Sequence, residues 1–291
     1  MKYLLSLIIL IILFSCNNIK RENEYYANGN LKYEVIIVDD KYNGLYKEYY
    51  EDGTLKIEGN FEKGLKQGQF VQYYKPVDKL LKSETSWKND TLYYQKDIGK
   101  NDHIVSEGKL DDGLKTEKWK YFDSNEGYLK EIQEFFVIKD STYLNQNWLL
   151  NKNRDTLAKG NHYKLMSKDT LKFSQQRVYF FLKQPYFSYY SDFVVCLPKD
   201  DNKLKDDFSN ENMIEWDTID NLANRFRNQG KYRDRNHDVV FDLDYQSSGK
   251  KRLRGMLIEK QTLKNGDTFK YDFATRKIYF DKEIFIEDKE N

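Results

Sequence analysis

The sequence predicts a mainly β protein: an elongated antiparallel sheet of β-hairpin repeats, followed by a small β-sandwich-like domain with one helix. Three observations support this prediction: a 24-residue repeat, alternation of apolar and polar side chains, and a composition rich in aromatic residues. Aromatic residues make up 16% of the 291 residues and hydrophobic residues only 39%, and Tyr alone occurs 24 times. Tyr suits a sheet with one half-solvated face because its ring is apolar and its hydroxyl is polar.

The repeat is visible in tyrosine pairs and in Gly-containing pairs that recur at intervals of 24 residues: Tyr25-Tyr26, Tyr49-Tyr50 and Tyr73-Tyr74, with Asn28-Gly29 and Asp52-Gly53. Asn-Gly and Asp-Gly are strong hairpin signals, and the turn they favour requires positive φ at both central positions. After the second pair, Leu55, Ile57 and Phe61 alternate with polar or charged neighbours. Each repeat is therefore predicted to be a hairpin with one apolar face. Because a single hairpin is marginally stable, neighbouring hairpins must pair.

The repeat units read Tyr-Tyr-x-Asn/Asp-Gly-x-Leu-Lys-x-Glu-Gly, as in residues 49–59, and they resemble the MORN-repeat variant family. We assign residues 25–165 to this repeat region. Residues 75–106 depart from the pattern because Pro76-Val77-Asp78-Lys79 replaces the Gly-containing turn and Tyr93-Tyr94 comes early. The resemblance implies an elongated, twisted sheet that mediates binding and has no shared catalytic residues. Some bacterial members of the family are labelled antitoxin-like.

The paired tyrosines suggest a binding surface. Because the two members of each pair are adjacent in a strand, one should face the sheet interior and the other the solvent. We therefore consider Tyr26, Tyr50 and Tyr74 a possible binding surface. The alternative is that this row only stiffens the sheet through cross-strand pairing.

The amino terminus carries an export signal. Residues 3–14 form an apolar run that is too short for the roughly 20 residues of a membrane span and is typical of a signal peptide. Leu13-Phe14-Ser15-Cys16 follows, and it resembles the lipobox of bacterial lipoproteins. The resemblance implies a signal peptide at residues 1–15, lipidation of Cys16, and a lipid-anchored polar tether at residues 16–24. Asn17 in place of Asp favours the outer membrane. An ordinary secretory signal with an incidental Cys is the alternative.

The carboxy-terminal region, residues 166–291, lacks the repeat but is still rich in strand patterns. Predicted strands cover residues 177–182, 187–197, 239–245, 253–259, 269–273, 277–280 and 284–286, and Asn265-Gly266 is a further hairpin turn. One helix is predicted with Asp217 as its cap, Ile219, Leu222 and Phe226 on one face, and Gly230 at its end. Turn signals between short strands favour a sandwich of two small sheets.

The sequence offers few groups for chemistry, and we predict no catalytic residue, cofactor or metal ligand set. His103, His162 and His237 lack partners at metal spacing and are interpreted as surface residues. Cys196 lies in an apolar run, where a thiol behaves as a small core residue. The acidic segment at residues 199–220 has no glycine for a calcium loop and is interpreted as a solvated loop. Two basic stretches, residues 225–235 and 250–254, are solvated or contact anionic lipid or polysaccharide.

Together these features predict a non-enzymatic lipoprotein of the cell envelope that uses the repeat sheet as a binding or scaffolding module. It would contact the membrane through the lipid on Cys16, and its partner would be a protein or an envelope glycan. A net charge of +1 gives no electrostatic basis for binding nucleic acid. The alternative is an antitoxin-like neutraliser of an envelope or secreted toxic partner, which rests on the family label alone. An envelope hydrolase would require His237 and a carboxylate to converge on a deep pocket.

Overall fold

The computed structural model describes residues 18–75, 80–166, 170–171, 176–187, 191–230, 232–245, 247–264 and 271–288. Strands make up 65% and helices 5%, which confirms the predicted mainly β fold with its long antiparallel sheet and smaller sheets. The chain divides into two compact units: Met1–Lys115 with Tyr121–Tyr128, and Thr116–Lys120 with Leu129–Asn291. This division differs from the predicted boundary at residues 165/166. No helix in the described residues is long and apolar enough to cross a membrane.

Twelve strands of the described chain hydrogen-bond in chain order in one sheet. They are β1 Ile19–Tyr25, β2 Leu31–Val38, β3 Lys41–Tyr49, β4 Leu55–Glu62, β5 Leu65–Tyr73, β6 Leu80–Lys88, β7 Thr91–Gly99, β8 Ile104–Asp111, β9 Leu114–Phe122, β10 Leu129–Ile138, β11 Ser141–Leu150 and β12 Thr156–Asn161. Neighbouring strands from β1 to β8 pair antiparallel. The same sheet therefore continues through residues 80–106, where the sequence departs from the repeat pattern. Residues 76–79 lie outside the described residues.

Strand β1 corrects the predicted polar tether. Ile19 pairs with Val38, and the pairing continues to Tyr25, so most of residues 16–24 belongs to the sheet. The segment is polar because an edge strand of a sheet is exposed, and charged side chains protect such an edge from further pairing. Cys16 lies outside the described residues.

Two kinds of turn connect the strands. At the predicted turns only Gly29 and Gly53 have positive φ, whereas Asn28 and Asp52 do not. The Gly29 N–H donates to the Tyr26 carbonyl at 2.9 Å, which is a type I turn closed by a glycine bulge rather than the predicted turn with two positive φ values. The Asn28 side chain stabilises this type I turn by accepting a hydrogen bond from the Asn30 N–H at 3.0 Å.

The second kind of turn has positive φ at two successive residues, and it occurs at Asp39-Asp40, Lys63-Gly64, Asn89-Asp90, Asp112-Gly113 and Lys139-Asp140. These are two-residue hairpin loops, since the flanking residues pair directly, as Glu62 does with Leu65. The turn expected near Lys63-Gly64 is confirmed. The geometry with two positive φ values occurs at this end of the hairpin, and not at the predicted Asp52-Gly53 end.

The second unit contains two small sheets built from eight strands of the described residues. These are β13 Tyr163–Met166, β14 Thr170–Leu171, β15 Gln176–Leu182, β16 Asp192–Pro198, β17 Trp216–Asp220, β18 Asp238–Leu243, β19 Gly249–Lys264 and β20 Tyr271–Ile286. One sheet has the order β13-β15-β18 and the other the order β14-β20-β19-β16-β17. Val178 and Phe180 of the first sheet share a buried core with Phe193, Leu257 and Phe280 of the second. This arrangement confirms the sandwich-like prediction.

Several local predictions for this unit need correction. The predicted strands at 269–273, 277–280 and 284–286 are parts of the single strand β20, which pairs with β19 from Lys264 opposite Tyr271. The Asn265-Gly266 turn lies outside the described residues. The helix is only one turn long, α1 Leu222–Arg225, and Asn221 caps it by accepting from the Asn224 N–H at 2.9 Å. Residues 217–220 pair with β16 as a strand, and this pairing prevents the longer helix.

The acidic segment at residues 199–220 is not the solvated loop that its charge predicts. Leu204 and Phe208 are 4% and 0% exposed, and both pack in a second buried cluster with Tyr279. Arg254 is also buried, and its guanidinium donates to the Leu204 carbonyl at 3.1 Å and the Lys205 carbonyl at 2.6 Å. The segment is held on the five-stranded sheet by two kinds of contact. Its apolar side chains Leu204 and Phe208 are buried, and Arg254 donates hydrogen bonds to two of its backbone carbonyls.

Within the second unit, a side-chain amide attaches the hairpin of β10 and β11 to the five-stranded sheet. The Asn145 amide nitrogen donates to the Tyr279 carbonyl at 2.9 Å, and its oxygen accepts from the Tyr279 N–H at 2.7 Å. Asn145 is 0% exposed, so losing this amide would leave buried backbone groups unpaired. This double hydrogen bond explains why the compact unit begins before residue 165.

Gly59 provides a direct test of packing in the first unit. A Cβ atom at Gly59 would lie 2.3 Å from Cδ1 of Phe70, because the Phe70 ring lies flat against the Gly59 backbone. We predict that Gly59→Ala lowers the free energy of unfolding by roughly 1–3 kcal/mol, as overpacking does in other cores. Asn60→Ala is the matched control, since Asn60 is the exposed neighbour in the same strand. Equal denaturant midpoints for the two variants would contradict the proposed contact.

Candidate binding surfaces

The first unit presents a continuous row of aromatic rings on one face of its sheet. Strand alternation and cross-strand register place these side chains on the same face. We define the aromatic row as Tyr33, Tyr42, Tyr46, Phe61, Phe70 and Trp87. Neighbouring ring centroids lie 5.5 to 6.4 Å apart, within the range of favourable aromatic contacts. Five of the six rings are only half-buried, so the row offers apolar surface to a partner.

A lysine lies over one end of the aromatic row. The Lys66 ammonium is 4.1 Å from the Trp87 ring centroid and 5.4 Å from that of Phe70. Such cation–π contacts orient the lysine and place a positive charge beside the exposed rings. The row therefore combines apolar surface with a fixed cation at its Trp87 end.

The opposite face carries pairs of tyrosine and glutamate. The Tyr49 hydroxyl donates to Glu34 at 3.0 Å, and 24 residues later the Tyr73 hydroxyl donates to Glu58 at 2.8 Å. The nearby carboxylate together with burial raises the pKa of the Tyr73 phenol above its usual value, and burial followed by the Glu34 hydrogen bond does the same for Tyr49. These pairs show how the 24-residue repeat becomes a repeated hydrogen bond.

Two of the three tyrosines predicted as a binding surface donate hydrogen bonds to backbone carbonyls. The Tyr26 hydroxyl donates to the Tyr49 carbonyl at 2.9 Å, and the Tyr50 hydroxyl donates to the Tyr73 carbonyl at 2.9 Å. Both side chains are half-buried, as is Tyr74. Tyr26 and Tyr50 thus link each repeat to the next, which agrees with the stiffening role that we considered. Ligand binding by the three tyrosines stays a prediction, and the more continuous aromatic surface is the row on the sheet.

The second unit brings a serine, a histidine and a glutamate together. Ser191 donates to a Glu259 carboxylate oxygen at 2.6 Å, and its hydroxyl lies 3.0 Å from Nε2 of His237. A catalytic triad requires the imidazole between hydroxyl and carboxylate, whereas here the hydroxyl lies between the other two groups. Since Ser191 gives its proton to Glu259, its oxygen is left to accept from His237. Ser191 and Glu259 are 0% and 1% exposed, which leaves no access for a substrate in this arrangement.

Glu259 also fixes the segment before β16. Its carboxylate accepts from the Tyr186 N–H at 2.8 Å and the Phe187 N–H at 3.0 Å. A buried carboxylate that accepts several hydrogen bonds is stabilised by them, and it holds the donating groups in position. The cluster of Ser191, His237 and Glu259 therefore holds the chain in place. Its members are not among the described residues that line two cavities of the second unit, one beside Arg177 and one beside Trp148.

The other candidate groups occupy varied environments. Cys196 is 3% exposed, and burial raises the pKa of its thiol, as expected for a core residue. His162 is 7% exposed, so its interpretation as a surface residue was wrong; burial lowers the pKa of its imidazole. His103 and His237 are half-buried. Among the described residues, no group of three or more His, Cys, Asp or Glu side chains could hold a metal ion.

The basic stretches make internal ion pairs. Arg225 and Arg235 line a cavity of about 500 Å³ on the outer side of the three-stranded sheet, together with Arg177. Arg177 binds both oxygens of Asp242, at 2.9 and 3.2 Å, and Arg235 pairs with Asp238. Arg252 pairs with Asp206 and Asp281 in the same way. These carboxylates neutralise much of the positive charge that the sequence displays.

Comparison with known proteins identifies no relative. The chain matches no protein-family model, no curated protein and no solved structure.

The tyrosine–glutamate pairs predict loss of stability in alkali. The pKa of Tyr94, which burial and the Glu107 carboxylate raise to about 12, lies above the value near 10 of an unfolded chain. The unfolded state then releases protons first, so stability is lost as pH rises from about 10 to about 12. Thermal unfolding at pH 8 to 12 measures this loss.

A pair of variants tests the cause of the pH dependence. Glu58→Gln, which removes the charge beside Tyr73, should reduce the loss of stability, whereas the exposed control Glu62→Gln should not. An identical pH dependence in both variants would contradict the argument.

Proposed function

We propose that this chain is a non-enzymatic binding protein of the bacterial cell envelope, anchored by lipid at Cys16, and that the aromatic row is its binding surface. The observation that carries the proposal is the continuity of six rings on one sheet face, five of them half-exposed. Apolar patches of this kind mark interaction sites, and aromatic residues dominate the energetics of many interfaces.

The chemistry of the row suits two kinds of partner. Tyrosine rings with polar hydroxyls and a lysine at one end can pack against apolar side chains of a protein, and they can also stack on the rings of a glycan. Neither use requires a nucleophile or a metal. An envelope protein or a cell-envelope glycan is therefore the proposed partner.

The lipid anchor is tested by labelling. We expect cells that express the full chain to incorporate radiolabelled palmitate into it, and we expect Cys16→Ala to abolish the label, because the acyl chains are attached through this residue. Cys196→Ala is the matched control and should leave the label unchanged, since that thiol is buried. Undiminished labelling of Cys16→Ala would contradict the anchor and leave the binding surface to be judged separately.

The aromatic row is tested by a paired comparison of variants. The lipidated protein is isolated from membranes with its bound proteins, and in parallel it is incubated with purified peptidoglycan sacculi. We predict that Tyr42→Ala with Phe61→Ala lowers recovery of the partner at least tenfold, because hot-spot aromatics contribute about 2 kcal/mol each. Leu45→Ala, an exposed apolar residue on the opposite face, is the control.

The outcomes separate the alternatives. Loss of a protein or of sacculi from the row variant alone would identify the class of partner, and a stoichiometric small protein would favour the antitoxin-like alternative. Equal recovery by the row variant and by Leu45→Ala, with both folded by circular dichroism, would exclude the row as the binding surface.

A further inference from the structure

We propose that a cavity in the second unit beside Trp148 and His162 binds an acidic sugar, meaning a sugar ring that carries a carboxylate. We call it the His162 cavity. It is lined by Trp148, Thr156, Leu157, His162, Tyr163, Lys164, Lys183 and Gln184, and its volume is about 440 Å³. Small-molecule sites commonly have volumes of 300 to 1,000 Å³, so a monosaccharide unit fits. This proposal is independent of the function proposed for the aromatic row.

The charge of the His162 cavity favours an anion. Lys164 and Lys183 are exposed at its edge, and no acidic side chain is among the described residues that line it. A third lysine is close, because the Lys118 ammonium lies 5.0 Å from the Trp148 ring centroid. This differs from the arginine-lined cavity, where carboxylates already pair with the cations. A carboxylate entering the His162 cavity would form charge-assisted hydrogen bonds with its lysines.

The buried imidazole of His162 has a ring nitrogen without a hydrogen-bond partner among the described residues. His162 is 93% buried by its 7% exposure, and its Nδ1 has no hydrogen-bond partner among the described residues. Burial lowers the pKa of this imidazole. A hydroxyl can both donate and accept a hydrogen bond, so a ligand hydroxyl that reaches Nδ1 would satisfy it in either tautomer of the ring.

The apolar part of the cavity lining favours a ligand that contains a ring. The Trp148 indole is held by the His162 imidazole, with ring centroids 5.7 Å apart, and Leu157 lies beside it. Inorganic phosphate would engage the lysines but would leave this apolar surface uncovered. A sugar acid supplies all three features at once: a carboxylate for the lysines, hydroxyls for Nδ1, and C–H groups for the indole.

The experiment uses the full chain in detergent micelles and D-glucuronate as the probe. Titration calorimetry and saturation-transfer NMR should detect saturable binding, with a dissociation constant on the order of 1 mM. Methyl glucoside, which lacks the carboxylate, and inorganic phosphate, which lacks the ring, should each bind at least tenfold more weakly. Lys183→Gln should weaken binding about tenfold, the loss of one hydrogen bond to a charged group. Lys139→Gln, at an exposed turn of the same unit, is the charge-matched control.

A second variant tests the imidazole. His162→Phe keeps a ring in the cavity but removes Nδ1 and its hydrogen bond to the ligand, and it should also weaken glucuronate binding about tenfold. Lys183→Gln keeps the proposal testable if His162→Phe does not fold, because Lys183 is exposed. Absence of saturable binding at about ten times the expected constant would overturn the proposal. So would equal affinity for glucuronate and phosphate, which would indicate an unspecific anion site.

Discussion

The register of the first eight strands depends on the alternation of two turn geometries. Two-residue loops such as Lys63-Gly64 alternate with glycine-bulge turns such as that at Gly53, about once each per 24 residues. Because side chains alternate between faces, a slip of one residue at any turn would move a whole strand's side chains to the other face. The aromatic row and the tyrosine–glutamate pairs lie on opposite faces only because both turns hold this register. Local turn chemistry thus determines which surface is available for binding.

The two units are stabilised in different ways. In the first unit the stabilising contacts are mainly between adjacent strands: ring pairs, the Phe70 ring on Gly59, and tyrosine hydroxyls bonded to the backbone of the next repeat. Such contacts act pairwise, as in other repeat proteins. The second unit instead has a shared core between two sheets, with Phe180 and Phe193 fully buried. A packed core holds buried polar groups such as Ser191 in fixed positions.

The features that were predicted correctly are those that the residues within a single repeat determine. Alternation after Gly53 predicted β4, and the hairpin order predicted the long sheet. Features that depend on contacts between residues far apart in the sequence were not predicted. Nothing near Asn145 indicates that its amide binds the Tyr279 backbone 134 residues away, and nothing near Leu204 indicates the Arg254 guanidinium. His162 was misplaced for the same reason: its burial depends on the corner formed with Lys183 and Gln184, whose N–H groups bind its carbonyl.

The proposed anchor and the observed strand β1 together limit where the sheet can lie. If lipid is attached at Cys16, only two residues separate it from Ile19, where β1 begins. An extended chain spans at most about 3.6 Å per residue, so the first strand would lie within roughly 10 Å of the lipid attachment point. The exposed Ile19 would then lie near the membrane interface, followed along the same strand by Lys20 and Arg21 and by Glu22 and Glu24. The partner of the aromatic row would have to be reached close to the membrane surface, which favours membrane-associated partners over those that diffuse freely.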